Sequence, residues 1–274
     1  MRTIEIKRKT INYDEYVRRS ALASDYSFLI KEPTVIMENG VPVVIYDEIP
    51  SGLSTENMRR ALMSLRYESS ERTGGLKTFS RIFGYSPRVV HRKDFCSATS
   101  LAREFPSQHA QLCRFAEKVS GVYRTWNQTG YEKHLQATIK NVLPEYILSG
   151  SPFTSGIVNK NNILKYHFDS GNFKNVSSAM VVFKRDVSGG FLVLPEFDCA
   201  LEVANNSLTI FDGQSILHGV SPIKEESPFH YRYSAVYYSL RQMWNCKPLS
   251  EELARIRDVK TSRERKRTGH LLDS

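Results

Sequence analysis

Several features that define whole classes of protein are scarce or missing in this chain of 274 residues. It has four cysteines, none of them paired at the short spacing of a zinc site: Cys96, Cys113, Cys199 and Cys246. No apolar run approaches the roughly 20 residues that a membrane-spanning helix needs. The N-terminal segment is basic but lacks the apolar stretch of a secretory signal peptide. We therefore expect an intracellular protein (cytoplasmic, or nuclear if eukaryotic) with no membrane partner, an undefined oligomeric state and cysteines that are reduced, buried thiols.

The composition is that of a globular protein with a basic balance. Apolar residues make up 41% of the chain and charged residues 24%, which allows a substantial core. The formal net charge is +9 and the isoelectric point is about 9.3. A basic surface attracts polyanions such as nucleic acids. Because many basic proteins bind no nucleic acid, the charge favours such a partner only slightly.

The first part of the chain is predicted to form a hairpin and then helices. In segment 35–46 an Asn-Gly pair separates two β-rich runs, which is typical of a hairpin, and Pro42 favours an edge strand. Ser54 is the expected N-cap of a helix that ends near Tyr67. Residues 1–31 are an arm or a docked helix. Two further helices are predicted over 107–123 and 131–142.

Residues 68–95 are expected to form a loop because glycine and proline interrupt them. Basic and aromatic residues are interleaved there: Lys77, Phe79, Arg81, Phe83, Tyr85 and Arg88. As a binding loop, this segment would hold a phosphate backbone and stack a base. As a plain connector, it would pack its aromatic side chains on the core.

From residue 154 onward the pattern changes to short β-rich runs separated by turns such as Gly189-Gly190 and Asp212-Gly213. Many short strands with regular turns are typical of a sandwich or jelly roll. The predicted strands are 154–159, 163–169, 178–184, 191–194, 207–211, 214–218 and 231–240.

His167 and Asp169 stand two residues apart on the second of these predicted strands. Residues i and i+2 of a strand project to the same side, so the imidazole and the carboxylate are expected to lie together. His218, from a distant run, would add a second imidazole. Two histidines and one carboxylate with open positions form the ligand set of non-haem Fe(II) oxygenases. The alternative is that all three residues are structural.

Arg232 and Ser234 begin the last long β-rich run. With a period of two they share one face with Val236 and Tyr238. A guanidinium binds a carboxylate through paired, parallel hydrogen bonds. The pattern therefore predicts a carboxylate site at Arg232 and Ser234.

The order His-x-Asp, then His, then Arg-x-Ser resembles the Fe(II)/2-oxoglutarate dioxygenase superfamily. Asn172, three residues after Asp169, and the run from Gly189 to Glu196 resemble its TET and base-J-binding-protein (JBP) branch, which oxidises the methyl group of pyrimidines in DNA. The resemblance covers about residues 150–246. It implies an α+β fold, with a double-stranded β-helix (jelly-roll, cupin-like) core and buttressing helices.

The same resemblance implies the cofactors and their ligands. Fe(II) would be bound by His167, Asp169 and His218, and O₂ would be the oxidant. The co-substrate 2-oxoglutarate would place its distal carboxylate on Arg232 and Ser234 and be converted to succinate and CO₂. Candidates for further contacts to 2-oxoglutarate are Asn159, which is equally well an ordinary turn residue, and Arg81 and Arg88.

An aspartate at position 169 favours hydroxylation, since halogenating relatives have a small residue there. Relatives commonly carry a further histidine beyond the Arg-x-Ser strand, and this sequence departs from that pattern with Leu240.

The predicted function is oxidation of the 5-methyl group of 5-methylcytosine or thymine in DNA. The base would be flipped out or single-stranded, because a stacked base is out of reach of the iron. Asn172 would read the base edge, Tyr238 would stack on the base, and Arg81 and Arg88 would hold phosphates. Two alternatives stay open: hydroxylation of a protein side chain or small metabolite, and an inactive jelly-roll module that binds DNA.

Three regions are predicted along the chain. Residues 1–95 form an N-terminal flank that packs on the core, with its hairpin, helix and basic-aromatic loop. Residues 96–247 contain the helices and the dioxygenase core. Residues 248–274 form a polar, basic tail that is either helical or disordered.

Overall fold

The computed structural model describes residues 1–72, 76–88 and 95–272. Its strands are β1 (Arg2–Glu5), β2 (Phe28–Ile30), β3 (Thr34–Glu38), β4 (Val41–Glu48), β5 (Glu68–Arg72), β6 (Leu76–Ser86), β7 (Ser97–Ala98), β8 (Ser155–Lys160), β9 (Ser178–Arg185), β10 (Val187–Gly189), β11 (Leu192–Leu194), β12 (Cys199–Leu201), β13 (Ser207–Phe211), β14 (Gly219–Val220), β15 (Ile223–Glu225) and β16 (Tyr231–Tyr238). Its α-helices are α1 (Tyr13–Tyr16), α2 (Leu53–Ser64), α3 (Ser100–Glu104), α4 (Pro106–Trp126), α5 (Gln128–Asn141) and α6 (Leu249–Leu272).

Two sheets enclose one of the cores. The larger has the strand order β1-β3-β4-β13-β9-β16-β8-β6-β5, and the smaller has the order β14-β11-β12-β2. Apolar side chains of both sheets pack together, among them Ile36, Val44, Val182, Leu192, Leu194 and Leu201. Burial of this apolar surface holds the two sheets against each other. The mixture of helix and sheet agrees with the predicted α+β class.

The helices cover the opposite face of the large sheet. Along α4 the buried residues recur at helical spacing: Leu112, Phe115, Ala116, Val119 and Tyr123. They pack against strand residues such as Val158, Phe183 and Tyr237. Because strand side chains alternate in direction, the residues between these ones point to the other side, between the sheets. The helices at 107–123 and 131–142 are thus confirmed as α4 and α5.

The predicted hairpin at 35–46 is confirmed as β3 and β4. Asn39 and Gly40 connect the strands with φ angles of 53° and 74°, as a two-residue hairpin turn of mirror-image type requires. The edge position predicted from Pro42 is wrong, because β4 lies between β3 and β13. Pro42 is tolerated there because the ladder with β13 begins only at Val44, and because β4 has an extra residue, Val43, beside it in the pairing with β3.

The start and end of α2 differ from the prediction. Gly52, with a φ of 142°, precedes the helix, so Ser54 lies inside the first turn and does not cap it. The helix ends at Ser64, three residues before Tyr67. The chain turns at the glycine, and this local conformation outweighs the capping preference of serine.

The predicted loop at 68–95 is wrong for most of its described residues. β5 and β6 are paired antiparallel, and β6 also pairs with β8 in the large sheet. Hydrogen bonds from β8, which is distant in sequence, fix β6 in a way that local composition cannot reveal. The remaining part of that prediction includes 73–75 and 89–94, which lie outside the described residues.

The predicted strands 163–169 and 214–218 are also wrong. Each segment is irregular and joins the other only at an isolated bridge between His167 and His218. The remaining backbone hydrogen bonds come from the turn at Asp212 and Gly213, from the N-terminal arm and from the Val220 N–H, which donates to the Leu164 carbonyl at 2.8 Å. The predicted strand 207–211 matches β13 at both ends.

The prediction of reduced cysteines is wrong for two of the four. Cys96 and Cys246, which are 150 positions apart in sequence, form a disulfide with Cα atoms 5.6 Å apart. Cys113 and Cys199 are thiols, and burial raises the pKa of Cys113 to about 11 and that of Cys199 to about 12. A contact over this sequence distance arises from the fold and leaves no local signal.

The two ends of the chain are both structured. In the N-terminal arm, β1 pairs with β3 and β2 pairs with β12. The Arg18 N–H donates to the Tyr166 carbonyl, and the Tyr166 N–H donates to the Arg19 carbonyl, so the arm holds the segment that carries His167. The C-terminal region, whose residues 273–274 lie outside the described part, forms helix α6. No helix of the described residues is long and apolar enough to cross a membrane.

Candidate active site

The backbone brings the two predicted histidine ligands face to face. The His167 N–H donates to the His218 carbonyl at 3.0 Å, and the His218 N–H donates back at 3.2 Å. Their ring centroids are 4.3 Å apart. A two-way bridge therefore joins segments that are 51 positions apart in the sequence.

The carboxylate of Asp169 completes a three-residue cluster. Its Oδ1 lies 3.8 Å from Nε2 of His167 and 3.9 Å from Nε2 of His218. One ligand atom from each residue lies within 4.8 Å of the other two, so all three can converge on a single ion. Two imidazoles and one carboxylate suit a divalent transition metal.

Backbone carbonyls fix the protonation pattern of both rings. Nδ1 of His167 lies 2.8 Å from the Lys165 carbonyl, and Nδ1 of His218 lies 2.9 Å from the Ile216 carbonyl. A carbonyl only accepts hydrogen bonds, so each Nδ1 carries a proton and each Nε2 is the ring atom that can bind a metal. Outer hydrogen bonds of this kind orient histidine ligands at metal sites.

The turn at Asp212 and Gly213 packs against the Asp169 carboxylate. The Asp169 N–H donates to the Gly213 carbonyl at 2.8 Å. A Cβ at position 213 would overlap Oδ2 of Asp169 and stand 3.3 Å from Cε1 of His218. Burial, together with the nearby Asp169 carboxylate, raises the pKa of Asp212. Glycine is thus required at 213 for the carboxylate to occupy its place.

We expect Gly213→Ala to weaken metal binding by about 10- to 100-fold, because the new methyl group displaces the Asp169 carboxylate. Metal titration of the purified variant measures the effect. Gly121→Ala is the matched control, since a Cβ at that glycine meets nothing within 4 Å. Equal metal affinity for Gly213→Ala and the wild type would show that Asp169 is not a ligand.

The cluster lies at a cavity of about 310 Å³ between the two sheets. This volume suits a small ligand. The predicted site residues that line it are Asn159, His167, Asp169, Asn172, His218 and Tyr238. Its apolar walls include Leu164, Met180, Leu192, Phe211, Val220 and Val236.

Arg232 and Ser234 lie on the same face of β16 as the wall residue Val236, and both are buried. Within the described residues, Nε and Nη2 of Arg232 are buried without a hydrogen-bond partner. Burial lowers the pKa of Arg232 to about 10. An unpaired buried cation is costly, so this position favours a bound anion.

The surroundings of Arg232 strengthen its preference for an anion. Lys184 lies opposite it on β9; burial lowers the pKa of this lysine, and nearby Arg232 contributes to the lowering. The backbone of Gly190 passes close by, since a Cβ there would stand 3.1 Å from Nε of Arg232. Nδ2 of Asn159 donates to Oγ of Ser234 at 3.3 Å, which places the amide beside the hydroxyl.

Asn172, Ser178 and Tyr238 all line the cavity. Nδ2 of Asn172 donates to Oγ of Ser178 at 3.1 Å, and Nε2 of Gln214 donates to the Asn172 carbonyl at 2.6 Å. Asn172 also bridges to Leu240 through the backbone. Leu240, at the position where the family resemblance predicts a further histidine, lines the cavity.

Arg81 and Arg88 do not line the cavity. The Arg81 guanidinium is buried and pairs with Glu68 at 2.9 Å and Glu104 at 2.6 Å. Arg88 pairs with the buried carboxylate of Glu252 at 2.6 Å. Both guanidinium groups thus have carboxylate partners, and the structure does not bring them to the metal cluster.

The comparison with known families identifies the chain. A sequence model named Tet_JBP, described as the oxygenase domain of the 2OGFeDO superfamily, matches residues 85–241, which is more than half of the chain. The chain belongs to the Tet/JBP oxygenase family. This confirms the predicted superfamily and branch: the matched region is an oxygenase domain of the 2OGFeDO superfamily. The superfamily implies Fe(II), 2-oxoglutarate and O₂.

The chain is also similar to individual proteins, one by sequence and one by structure. Thymine dioxygenase JBP1 of Trypanosoma brucei brucei is 26% identical over 199 residues, which cover 72% of this chain and 23% of that protein. The chain therefore spans about a quarter of that relative. The solved structure of NgTET1 in complex with 5mC DNA has a TM-score of 0.59 at 15% identity, over 84% of this chain and 86% of that one. The latter likeness shows a shared fold.

Some residues of the site carried no separate signal in the sequence. Gly213 and Gln214 looked like ordinary turn residues, although one makes room for Asp169 and the other holds Asn172. Ser178 looked like the first residue of a strand. Their position is what marks them in the sequence: Gly213 and Gln214 directly follow Asp212, and Ser178 begins β9. Both positions lie in runs close to the metal ligands.

Proposed function

We propose that this Tet/JBP dioxygenase oxidises the 5-methyl group of a pyrimidine in DNA. One observation carries the proposal: a His-Asp-His cluster faces a small cavity, and an unpaired, buried arginine lies on the same sheet face. The names of the relatives, a thymine dioxygenase and a protein bound to 5mC DNA, support DNA as the substrate. The two-sheet arrangement supports a double-stranded β-helix as the core.

The residues fit the cofactors that the superfamily implies. We assign Fe(II) to Nε2 of His167, Nε2 of His218 and the carboxylate of Asp169, whose donor set suits that ion. We assign the distal carboxylate of 2-oxoglutarate to Arg232 and Ser234, since it would satisfy the orphaned guanidinium nitrogens. When bound, iron and 2-oxoglutarate together activate O₂ and supply the oxidant for a C–H bond.

The residues of the chain position the groups that would bind the cofactors, and they exclude water from the cavity. The carbonyls of Lys165 and Ile216 accept hydrogen bonds from Nδ1 of the two imidazoles, which orients each Nε2 toward the Asp169 carboxylate. Asn159 orients the Ser234 hydroxyl beside Arg232. The apolar walls keep the cavity poor in water, which protects a reactive site from side reactions.

The substrate base would enter beside Asn172 and Tyr238. In a duplex the target methyl is shielded by stacking, so the base must be flipped out or start single-stranded. Ser178 orients the Asn172 amide, which can hydrogen-bond to a pyrimidine edge. Tyr238 offers an aromatic face in the same cavity.

We expect Asn172→Ala to lose at least about tenfold in base oxidation, the value of one or more lost hydrogen bonds in the transition state. Slow, uncoupled conversion of 2-oxoglutarate to succinate should persist, since the metal ligands are unchanged. The measurement is mass spectrometry of nucleosides from DNA that contains thymine and 5-methylcytosine. Gln128→Ala is a control, because Gln128 is an exposed amide side chain that does not line this cavity.

If Asn172→Ala oxidises DNA as fast as the wild type, Asn172 does not read the base. If the wild type oxidises neither base but hydroxylates a peptide or free metabolite, the DNA substrate is wrong and the dioxygenase assignment remains.

A further inference from the structure

Helix α6 is rigidly attached to the body at its first turn. The buried carboxylate of Glu252 accepts hydrogen bonds from Nη2 of Arg88 at 2.6 Å, from the Cys96 N–H at 3.1 Å and from the Lys247 N–H at 3.0 Å. The disulfide of Cys246 with Cys96 lies immediately before the helix. These contacts fix the direction in which α6 leaves the protein.

The segment that leads into α6 borders the mouth of the active-site cavity. It is a 3-10 turn, Arg241–Asn245, that directly follows the cavity residue Leu240. The Arg241 N–H donates to the Gly171 carbonyl at 2.9 Å. Trp244 packs edge-on against Phe173 with ring centroids 5.2 Å apart, and 43% of its surface remains exposed. The base of α6 is thus joined to the turn that carries Asn172.

The far part of α6 is exposed and basic on one face. Every residue from Lys260 to Thr268 is exposed, so this stretch is not packed on the body. At 100° per residue, four cationic residues fall within about one third of the circumference. This basic stripe consists of Lys260, Arg263, Lys266 and Arg267. Arg265 lies on the opposite face of the same stretch.

We propose that the basic stripe of α6 binds the phosphate backbone of the DNA whose base enters the cavity. The identity of the polyanion rests on the proposed function. From Lys260 to Arg267 the stripe is about 10 Å long, enough to face several phosphates. The exposed stretch offers no apolar face for a protein groove, whereas its charge is complementary to DNA. Because the base of α6 is fixed, the basic stripe is already ordered before DNA binds. Less conformational entropy is therefore lost on binding.

The test compares variants that remove equal charge from different places. The stripe variant combines Lys260→Gln, Lys266→Gln and Arg267→Gln. A matched control removes three exposed charges from α4 and α5, with Arg124→Gln, Lys133→Gln and Lys140→Gln. Arg265→Gln, compared with Lys266→Gln alone, controls for the face of α6. Glutamine keeps helix propensity close to that of the residues it replaces.

Fluorescence anisotropy with a labelled DNA duplex, over a series of salt concentrations, measures binding by the whole 274-residue chain. We expect the stripe variant to lower the slope of log K against log salt by about 2 to 3 and to raise Kd about tenfold or more at low salt. The matched control should change Kd less than about twofold at about 0.15 M salt, where a Debye length of about 8 Å screens distant charges from the bound DNA. Conversion of 2-oxoglutarate without DNA should be unchanged in all variants.

The outcomes separate this inference from the proposed function. If the stripe variant and the matched control lose equal affinity, α6 is not a DNA-binding element, even where the wild type oxidises DNA. If the wild type binds DNA through the stripe but oxidises no base, the inference stands and the proposed function fails.

Discussion

Asp169→Ala and His218→Ala should each empty the iron site and reduce turnover by about 10³-fold or more. Fe(II) lies low in the affinity order of divalent metals, so two remaining ligands hold it poorly. The backbone bridge between His167 and His218 needs neither side chain, so the fold should persist. Iron content, succinate formation and the melting temperature of the metal-free protein are the measurements.

His230→Ala is the matched control for the loss of a histidine. Its ring pairs with Glu225 at 3.0 Å and does not line the active-site cavity. This variant should keep both iron and turnover. Normal iron content together with normal turnover in Asp169→Ala would refute the ligand assignment.

The second large effect is expected at Arg232. Arg232→Lys keeps the charge but loses the paired hydrogen bonds of the guanidinium. A lost hydrogen bond to a charged group costs about 1.5 to 3 kcal/mol, which corresponds to a rise of roughly 10- to 100-fold in the KM for 2-oxoglutarate. Iron affinity should not change. Steady-state kinetics with 2-oxoglutarate as the varied substrate measure this.

Arg81→Lys is the control, because Arg81 is also buried but already has two carboxylate partners. Arg81→Lys should leave the KM for 2-oxoglutarate unchanged. A rise in KM equal to that of Arg232→Lys would show that Arg81 contributes to 2-oxoglutarate binding.

The free energy of unfolding provides a further test, because Arg232→Met should be more stable than the wild type without 2-oxoglutarate and less stable with it. Without 2-oxoglutarate, Arg232→Met should be more stable than the wild type by about 1 kcal/mol or more, because an unpaired buried charge is removed. With 2-oxoglutarate at 100 times its Kd, the wild type should gain about 2.7 kcal/mol and the variant should gain nothing. A wild type that 2-oxoglutarate does not stabilise would contradict the carboxylate site.

The chemistry was easier to predict from the sequence than the local structure that carries it. His167, Asp169 and His218 were recognisable because metal chemistry restricts the residue types, and the structure brings them together. Yet the segment of His167 is irregular and was predicted as a strand. The conformation of this segment is fixed by hydrogen bonds to the N-terminal arm and by the bridge to His218, both of which are distant in sequence.

The failed predictions for Arg81 and for two of the cysteines concern contacts between distant residues. The sequence predicts that Arg81 lies in a loop, which is either a binding loop or a plain connector. In the structure, β8 draws this segment into the large sheet, and Glu68 and Glu104 neutralise Arg81. The disulfide between Cys96 and Cys246 likewise depends on the tertiary fold. Neither contact has a periodic or local signature in the sequence.

The central claim is most directly tested by counting two products in one reaction. The protein is supplied with Fe(II), 2-oxoglutarate, O₂ and DNA that contains both thymine and 5-methylcytosine, and succinate and oxidised pyrimidines are then quantified. The account predicts about one succinate for each oxidation step on a pyrimidine methyl group, with both products lost in His218→Ala. Succinate that forms at the same rate with and without DNA, with no oxidised pyrimidine, would contradict it.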